Sequence, residues 1–344
     1  MILIRPVPSG STDRPPRVSV VIPSYNYGRF LDECLTSVLG QDGVDLDVTV
    51  VDDGSTDDTV EIVTAWTRCD PRVRLVRHET NQGHIQTFND ALNAATAEFV
   101  VKMDADDLLP PGSLERSSRI LRNFPQAAFV YGYPLTFTDD APTGLSTRET
   151  SWSVWAGHEW IRHILRRGHN VIMQPEVMIR RSALDQTGGH RAEIPEASDL
   201  NLWLRLASVG SVARGHRPGQ GRDPNDNQSM QRTIHSGHLS DLGARRSAME
   251  LFLTECRDRL DDPDGMRAIA HRSLARESRR LVTRARDLGT VKQEPINEYL
   301  ALAAALEERP RSARPRSLGR LSPGRVFRNL EDRVRWRRWR RYGV

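Results

Sequence analysis

Cysteine is scarce in this chain: Cys34, Cys69 and Cys256 are the only three in 344 residues. So few, and an odd number, argue for reduced thiols and against a disulfide scaffold. Long apolar runs are missing as well. The stretch Met1-Ile2-Leu3-Ile4-Arg5-Pro6-Val7-Pro8 lacks the apolar centre of a secretory signal, and no later segment reaches the ~20 apolar residues that a membrane span requires. No internal repeat or low-complexity array is present either. The expectation is a cytoplasmic protein, long enough to bury a full α/β domain and to leave a helical extension after it.

What stands out against these absences is Phe99-Val100-Val101-Lys102-Met103-Asp104-Ala105-Asp106-Asp107, an apolar run that reads as a buried strand and ends in three carboxylates. Like charges this close repel, and burying them unpaired is costly, so a cation among them is the simplest account. Hard oxygen ligands suit Mg²⁺ or Mn²⁺, which complete their shells with substrate phosphates. A divalent metal holding a diphosphate is therefore expected. The alternative is a solvated acidic turn, and the surrounding pattern has to decide between them.

That pattern is a strand-helix alternation. Arg17 to Ile22 is β-branched and stops at Pro23-Ser24-Tyr25-Asn26, and Phe30, Leu31, Cys34, Leu35, Val38 and Leu39 then recur at helical spacing. A second strand, Asp47 to Val51, ends in Asp52-Asp53, before Gly54-Ser55-Thr56-Asp57 caps a helix carrying Val60, Val63 and Trp66. A short strand at Arg72 to Val76, a helix at Ile85 to Ala95 and the acidic strand follow. Such alternation predicts a mostly parallel, Rossmann-like sheet covered by helices, with ligands gathered beyond the carboxyl ends of the strands. Tyr25, Asp53 and Asp104 to Asp107 all fall at such ends.

Val18-Ser19-Val20-Val21-Ile22-Pro23-Ser24-Tyr25-Asn26, Val50-Val51-Asp52-Asp53-Gly54-Ser55-Thr56-Asp57, Asn81-Gln82-Gly83 and Met103-Asp104-Ala105-Asp106-Asp107 together resemble the nucleotide-binding half of a family 2 glycosyltransferase of the GT-A fold. Four motifs in order over roughly ninety residues are far more specific than any one of them. The resemblance implies an inverting transfer of a sugar from a nucleotide-diphosphate donor, UDP-sugar by expectation, to a hydroxyl of a glycan, glycolipid or other acceptor. It places Pro23 and Tyr25 at the base, Asp53 on the base or ribose, Asp104 near the ribose, and Asp106 on the metal with Asp107 as the alternative ligand. Carboxylates suit this work, because ribose hydroxyls and a pyrimidine N–H are donors.

In the acceptor half, Gln174 to Leu184 with Gly188-Gly189, and then Ala197 to Ala207, are similar to the family's second sheet segment and catalytic helix. The resemblance makes Asp199 the general base. The family usually has Glu-Asp here and this chain has Ser198-Asp199, with Glu196 as a local substitute for the missing acid. The bland alternative for Asp199 is an acid stabilised by a helix N-terminus. Further on, Pro224 takes the position of a family histidine that meets the metal or diphosphate; His216, Arg217 and Arg222 are the nearby substitutes. Two other readings stay open. A sugar nucleotidyltransferase would need a glycine-rich basic loop after the first strand, which Pro23 to Asn26 does not supply; a catalytically inactive sugar-nucleotide or glycan binder is motivated by Ser198 and Pro224.

The expected organisation is an N-terminal arm (1–16), a GT-A domain (17–230, with a nucleotide-sugar half at 17–110 and an acceptor half at 111–230), a helical extension (231–308) and an arginine-rich tail (309–344). In the extension, Leu242, Met249, Phe252, Leu253, Cys256 and Leu260 share one face. The tail holds thirteen arginines and two acids, a net +11 in a chain of +4, so residues 1–308 carry −7. Trp336, Trp339 and Tyr342 lie among those arginines, a combination that suits an anionic membrane surface. The expectation is peripheral attachment to the inner face of a membrane, with a solvated tail or an opportunistic nucleic-acid contact as the alternatives; nucleic acid is not the expected partner.

Overall fold

The computed structural model describes residues 2–4, 14–137, 152–172, 177–222, 238–290 and 295–307. The strands make one nine-stranded sheet. Its edge strand is β1 (Ile2–Ile4), and the nucleotide-side half is built from β2 (Arg17–Ser24), β3 (Asp45–Asp52), β4 (Val73–Arg77) and β5 (Phe99–Lys102). These four are parallel throughout, in the order β5-β2-β3-β4. Between them run α1 (Gly28–Leu39), α2 (Thr59–Cys69) and α3 (His84–Ala94).

β2 is apolar almost without interruption because both its faces are covered. Val18, Val20 and Ile22 enter the core beneath α1, with Leu31, Cys34, Leu35 and Val38, whereas Val21 points to the opposite core. Parallel strands joined by crossover helices put every β-to-α loop at the same edge of the sheet. The residues after β2, β3 and β5 therefore meet there.

The second half contains α4 (Ser113–Asn123), β6 (Ala127–Phe137), β7 (Trp152–Trp155), α5 (Gly157–Arg167), β8 (Val177–Arg180), α6 (Arg181–Thr187), α7 (Ser198–Val209) and β9 (Ser211–Arg222). β8 joins the halves, antiparallel to both β5 and β6. β9 runs parallel to β6 and antiparallel to β7, and β1 is antiparallel to β7. The glycine- and arginine-rich stretch through Gly215 to Arg222 is thus a strand despite its composition, paired to β6 over Pro218 to Arg222, whereas β7 reaches only as far as Gly215. Pro224 lies outside the described residues, as do the side chains of His216, Arg217 and Arg222.

α8 (His238–Glu255), α9 (Pro263–Asp287) and α10 (Ile296–Glu307) follow. α9 opens on Asp262, whose carboxylate accepts the Gly265 N–H at 3.0 Å, with Pro263 in the first turn. The expected helical extension is no separate layer: Leu242, Met249, Phe252 and Leu253 are buried in one core with Trp160 and Ile164 of α5 and Leu202 and Leu206 of α7. Among the described residues no helix is long and apolar enough to cross a membrane. The arginine-rich tail, 309–344, lies outside them.

Candidate active site

At the carboxyl edge of β2 the chain turns through Asn26, which adopts a left-handed φ of 57°. That turn is fixed by the neighbouring β3 loop: Asn26 N–H donates to Ser55 Oγ (2.9 Å) and Thr56 N–H donates to Asn26 Oδ1 (2.8 Å). Asp57 ties together two helix starts, accepting from Gly28 N–H (3.0 Å) and from Thr59 N–H (3.1 Å). The expected cap of α2 is therefore a carboxylate shared with α1. Tyr25 projects from this braced loop with 44% of its surface exposed, a ring available for stacking. Pro23 is buried within β2, paired with Val51.

Asp53 faces inward. Its carboxylate accepts from Gln82 N–H (2.7 Å) and Gly83 N–H (3.0 Å) and lies 2.8 Å from His78 Nδ1. These partners close the Asn81-Gln82-Gly83 loop at the start of α3, where Gly83 has φ +86°. A carboxylate offers about four lone-pair positions, so three are already engaged in holding the loop. What remains for a base or ribose is one.

The three expected carboxylates follow β5 directly, Asp104, Asp106 and Asp107 in one loop. Asp107 N–H bonds back to the Asp104 carbonyl (3.1 Å) in a tight turn under the first turns of α1. Burial first, and then Asp106 and Asp104, push the Tyr27 phenol up to about 12; burial and Asp107, Asp106 and Asp104 likewise push the Cys34 thiol up. Both groups thus report a negative field from this turn. Asp107 is buried, while Asp104 and Asp106 are half-exposed. Among the described residues no three His, Cys, Asp or Glu side chains close on one point. The donor set still fits a hard cation, since Mg²⁺-type ions take one or two carboxylates and draw their other ligands from phosphate and water.

Lys102 is the unexpected member of the site. It is one of two lysines in the chain, 3% exposed, with Nζ 3.7 Å from the centroid of Phe88 and 3.3 Å from Asp104 Oδ1. Desolvated cations rest well on aromatic faces. Asp104 is accordingly balanced by a protein cation.

Asp199 lies in the first turn of α7, 3.7 Å from Nδ1 of His190. His190 follows Gly188-Gly189, and its Nδ1 is 3.1 Å from Ser198 Oγ. Burial pushes this imidazole down to about 4, against the pull of Asp199 and with help from Lys102 and Arg205. His84, at the start of α3, is also lowered, by burial foremost; it donates to the Pro195 carbonyl and feels Lys102, Asp199 and Asp104. The acceptor-half carboxylate and the acidic turn therefore share one electrostatic neighbourhood. Glu196 is exposed in the 3₁₀ turn at Pro195–Ala197, and Ser198, where an acid was expected, is bonded to His190 instead.

Lys102, His84 and His190 were not singled out from the sequence. A signal existed for the first, because a lysine ending an apolar strand in a chain otherwise rich in arginine is out of place. For the histidines there was none: the Pro195 carbonyl that His84 meets and the Asn89 side chain that holds His190 each lie about a hundred residues away along the chain.

The family model described as glycosyl transferase family 2 matches residues 19–188. TuaG of Bacillus subtilis, named as a teichuronic acid biosynthesis glycosyltransferase, is 30% identical over 205 residues, covering 59% of this chain and 77% of that one. Hyaluronan synthase of Pasteurella multocida is 29% identical over 60% of this chain and 20% of its own. The chain thus spans well under two thirds of some of the curated relatives it matches. Among solved structures, residues 1–349 of Staphylococcus aureus TarS in complex with UDP-GlcNAc superpose with a TM-score of 0.63 at 19% identity, over 84% of this chain and 80% of that one. A likeness at that identity shows the fold, GT-A, and nothing more.

Proposed function

Starting from the fact that the chain belongs to glycosyl transferase family 2, we propose that it is an inverting glycosyltransferase that moves a sugar from a UDP-sugar to an acceptor hydroxyl. The observation that carries the reading is the run of contacts from Asp104 to Asp199, ninety-five positions apart in the chain: Lys102 Nζ lies 3.3 Å from Asp104 and 3.7 Å from the Phe88 ring centroid, Phe88 packs on His190, and His190 lies 3.7 Å from Asp199. An inverting displacement needs a base on one side of the anomeric carbon and a stabilised diphosphate on the other. The proposal assigns the first role to Asp199 and the second to the acidic turn after β5.

In this reading Tyr25 stacks on the base above Pro23, Asp104 meets the ribose, and Asp53 supports both through the Gln82-Gly83 loop. Asp199 takes the proton from the acceptor oxygen as it attacks, which makes the oxygen a better nucleophile as the bond to the diphosphate breaks. Lys102 offsets the charge of Asp104. Asp106, with Asp107 beside it, would hold Mg²⁺ or Mn²⁺, whose charge would favour the departing diphosphate. A glycan, glycolipid or other hydroxyl acceptor belongs to the same proposal, and the family match supports a glycan. The nucleotidyltransferase and inactive-binder readings are not favoured by the family match. Peripheral attachment to an anionic membrane through residues 309–344 belongs to the same proposal and rests on sequence alone.

The test replaces Asp199 with Asn in the full chain and follows UDP release from a panel of UDP-sugars, with water or added glycans as acceptors. Turnover should fall by about 10²–10⁴ with UDP affinity retained. A fall below tenfold would return Asp199 to the role of a helix-terminal acid.

A further inference from the structure

The segment that carries His190 is held with unusual thoroughness. Asn89 of α3 grips the backbone of His190 from both sides, accepting from its N–H (2.7 Å) and donating to its carbonyl (3.1 Å). Arg205 of α7, fully buried, donates to the carbonyls of Thr187 (2.6 Å), Gly188 (3.0 Å) and Gly189, and to Asn201 Oδ1 (2.7 Å). Gly189 cannot be any other residue without moving this clamp, because a Cβ there would lie 2.2 Å from Asn89 Oδ1. Phe88 packs on the imidazole with ring centroids 5.3 Å apart. Two elements from opposite halves of the fold thus fix the position of one ring.

That ring is 4% exposed, and its Nε2 is buried with no hydrogen-bond partner. A buried polar atom left without a partner is destabilising, so packing alone would favour an apolar ring here. The other nitrogen explains the choice. Nδ1 faces two oxygens, Ser198 Oγ at 3.1 Å and Asp199 Oδ1 at 3.7 Å, and an anionic neighbour favours the tautomer with the proton on Nδ1.

We propose that His190 is a positioning residue for Asp199: its Nδ1–H, presented by the clamp, keeps the carboxylate ionised and in one orientation toward the acceptor. The inference rests on the reading of Asp199 as the base. The imidazole acts as a neutral dipole, since burial keeps it uncharged above about pH 4. The charged and titratable groups facing it are Asp199 and Arg205 from α7, Lys102 from β5 and His84 from α3. Removal of the Nδ1–H leaves Asp199 with weaker support for its charge and makes it protonate at higher pH.

The experiment compares the full chain with His190→Phe, His190→Asn and Asp199→Asn. The Asp199 carboxyl is titrated by ¹³C NMR, assigned by its loss in Asp199→Asn, alongside thermal unfolding and the pH profile of UDP release from the UDP-sugar that the full chain hydrolyses fastest. His190→Phe keeps the ring packing and removes the orphaned nitrogen, so its melting temperature should be unchanged or higher. Its Asp199 midpoint, and the acid limb of activity, should rise by about one pH unit. His190→Asn restores a donor at the Nδ1 position and should bring the midpoint back. An Asp199 midpoint unmoved by His190→Phe, or a shift that His190→Asn does not reverse, overturns the inference. If Asp199→Asn retains turnover, the base assignment fails, while the carboxyl titration still decides whether His190 supports Asp199.

Discussion

Replacing Asp53 with Asn separates the two roles open to that residue. The carboxylate is 3% exposed and receives the N–H groups of Gln82 and Gly83 at 2.7 and 3.0 Å, with His78 Nδ1 at 2.8 Å. Asparagine keeps one acceptor oxygen and sets an NH₂ group where the second oxygen was, so at least one of these donors faces another donor. Hydrogen bonds to a charged group contribute about 1.5–3 kcal/mol each, and an unmatched buried donor costs about 1–3 kcal/mol. With the two partners of Oδ1 kept, though on a neutral acceptor, and the Gly83 N–H left facing a donor, the chain should lose about 2–4 kcal/mol of stability. Urea unfolding measures this, and calorimetric titration with UDP measures binding in parallel. A loss under about 1 kcal/mol with a tenfold or larger fall in UDP affinity would refute the loop-closing role and make Asp53 a direct contact to the nucleotide.

Other outcomes follow from the same geometry. Asp106→Ala, or EDTA added to the unaltered chain, should weaken UDP binding measured in the presence of Mn²⁺; undiminished binding would remove the metal from the proposal. His190 is pushed down to about 4 from an ordinary 6.5, so the unfolded chain binds the extra proton between those values. Its contribution to stability is complete above about pH 6.5 and is lost as pH falls toward 4, by about 3 kcal/mol, a loss that His190→Phe should not show in urea titrations across that range. A chain ending at Glu308 should fail to co-sediment with anionic vesicles that retain the full chain at low salt; equal retention would leave the tail as a solvated segment.

Much of this was legible in the order of residues. Parallel strands reveal themselves as unbroken apolar runs because both faces are covered, and the β-to-α loops after them fall on one edge by topology alone. Tyr25, Asp53 and the turn from Asp104 to Asp107 could therefore be gathered at one edge without coordinates, and Asp199 was marked by the resemblance of Ala197 to Ala207 to the family's catalytic helix. The strand through Gly215 to Arg222 was harder, since its composition argues against the state that pairing with β6 imposes.

The sequence by itself determined the strand-helix alternation and the edge where the β-to-α loops gather through periodicity, and the fold family and candidate acids through motifs that resemble a known family, all of them patterns among residues close together along the chain. Only the tertiary structure decided what surrounds them. That Asp53 closes the Gln82-Gly83 loop, that Lys102 lies between Phe88 and Asp104, and that Asn89 and Arg205 hold His190 against Asp199 are contacts between distant segments. Orientation and burial set the strength of a charge or a hydrogen bond, and both arise only when the two halves of the sheet come together.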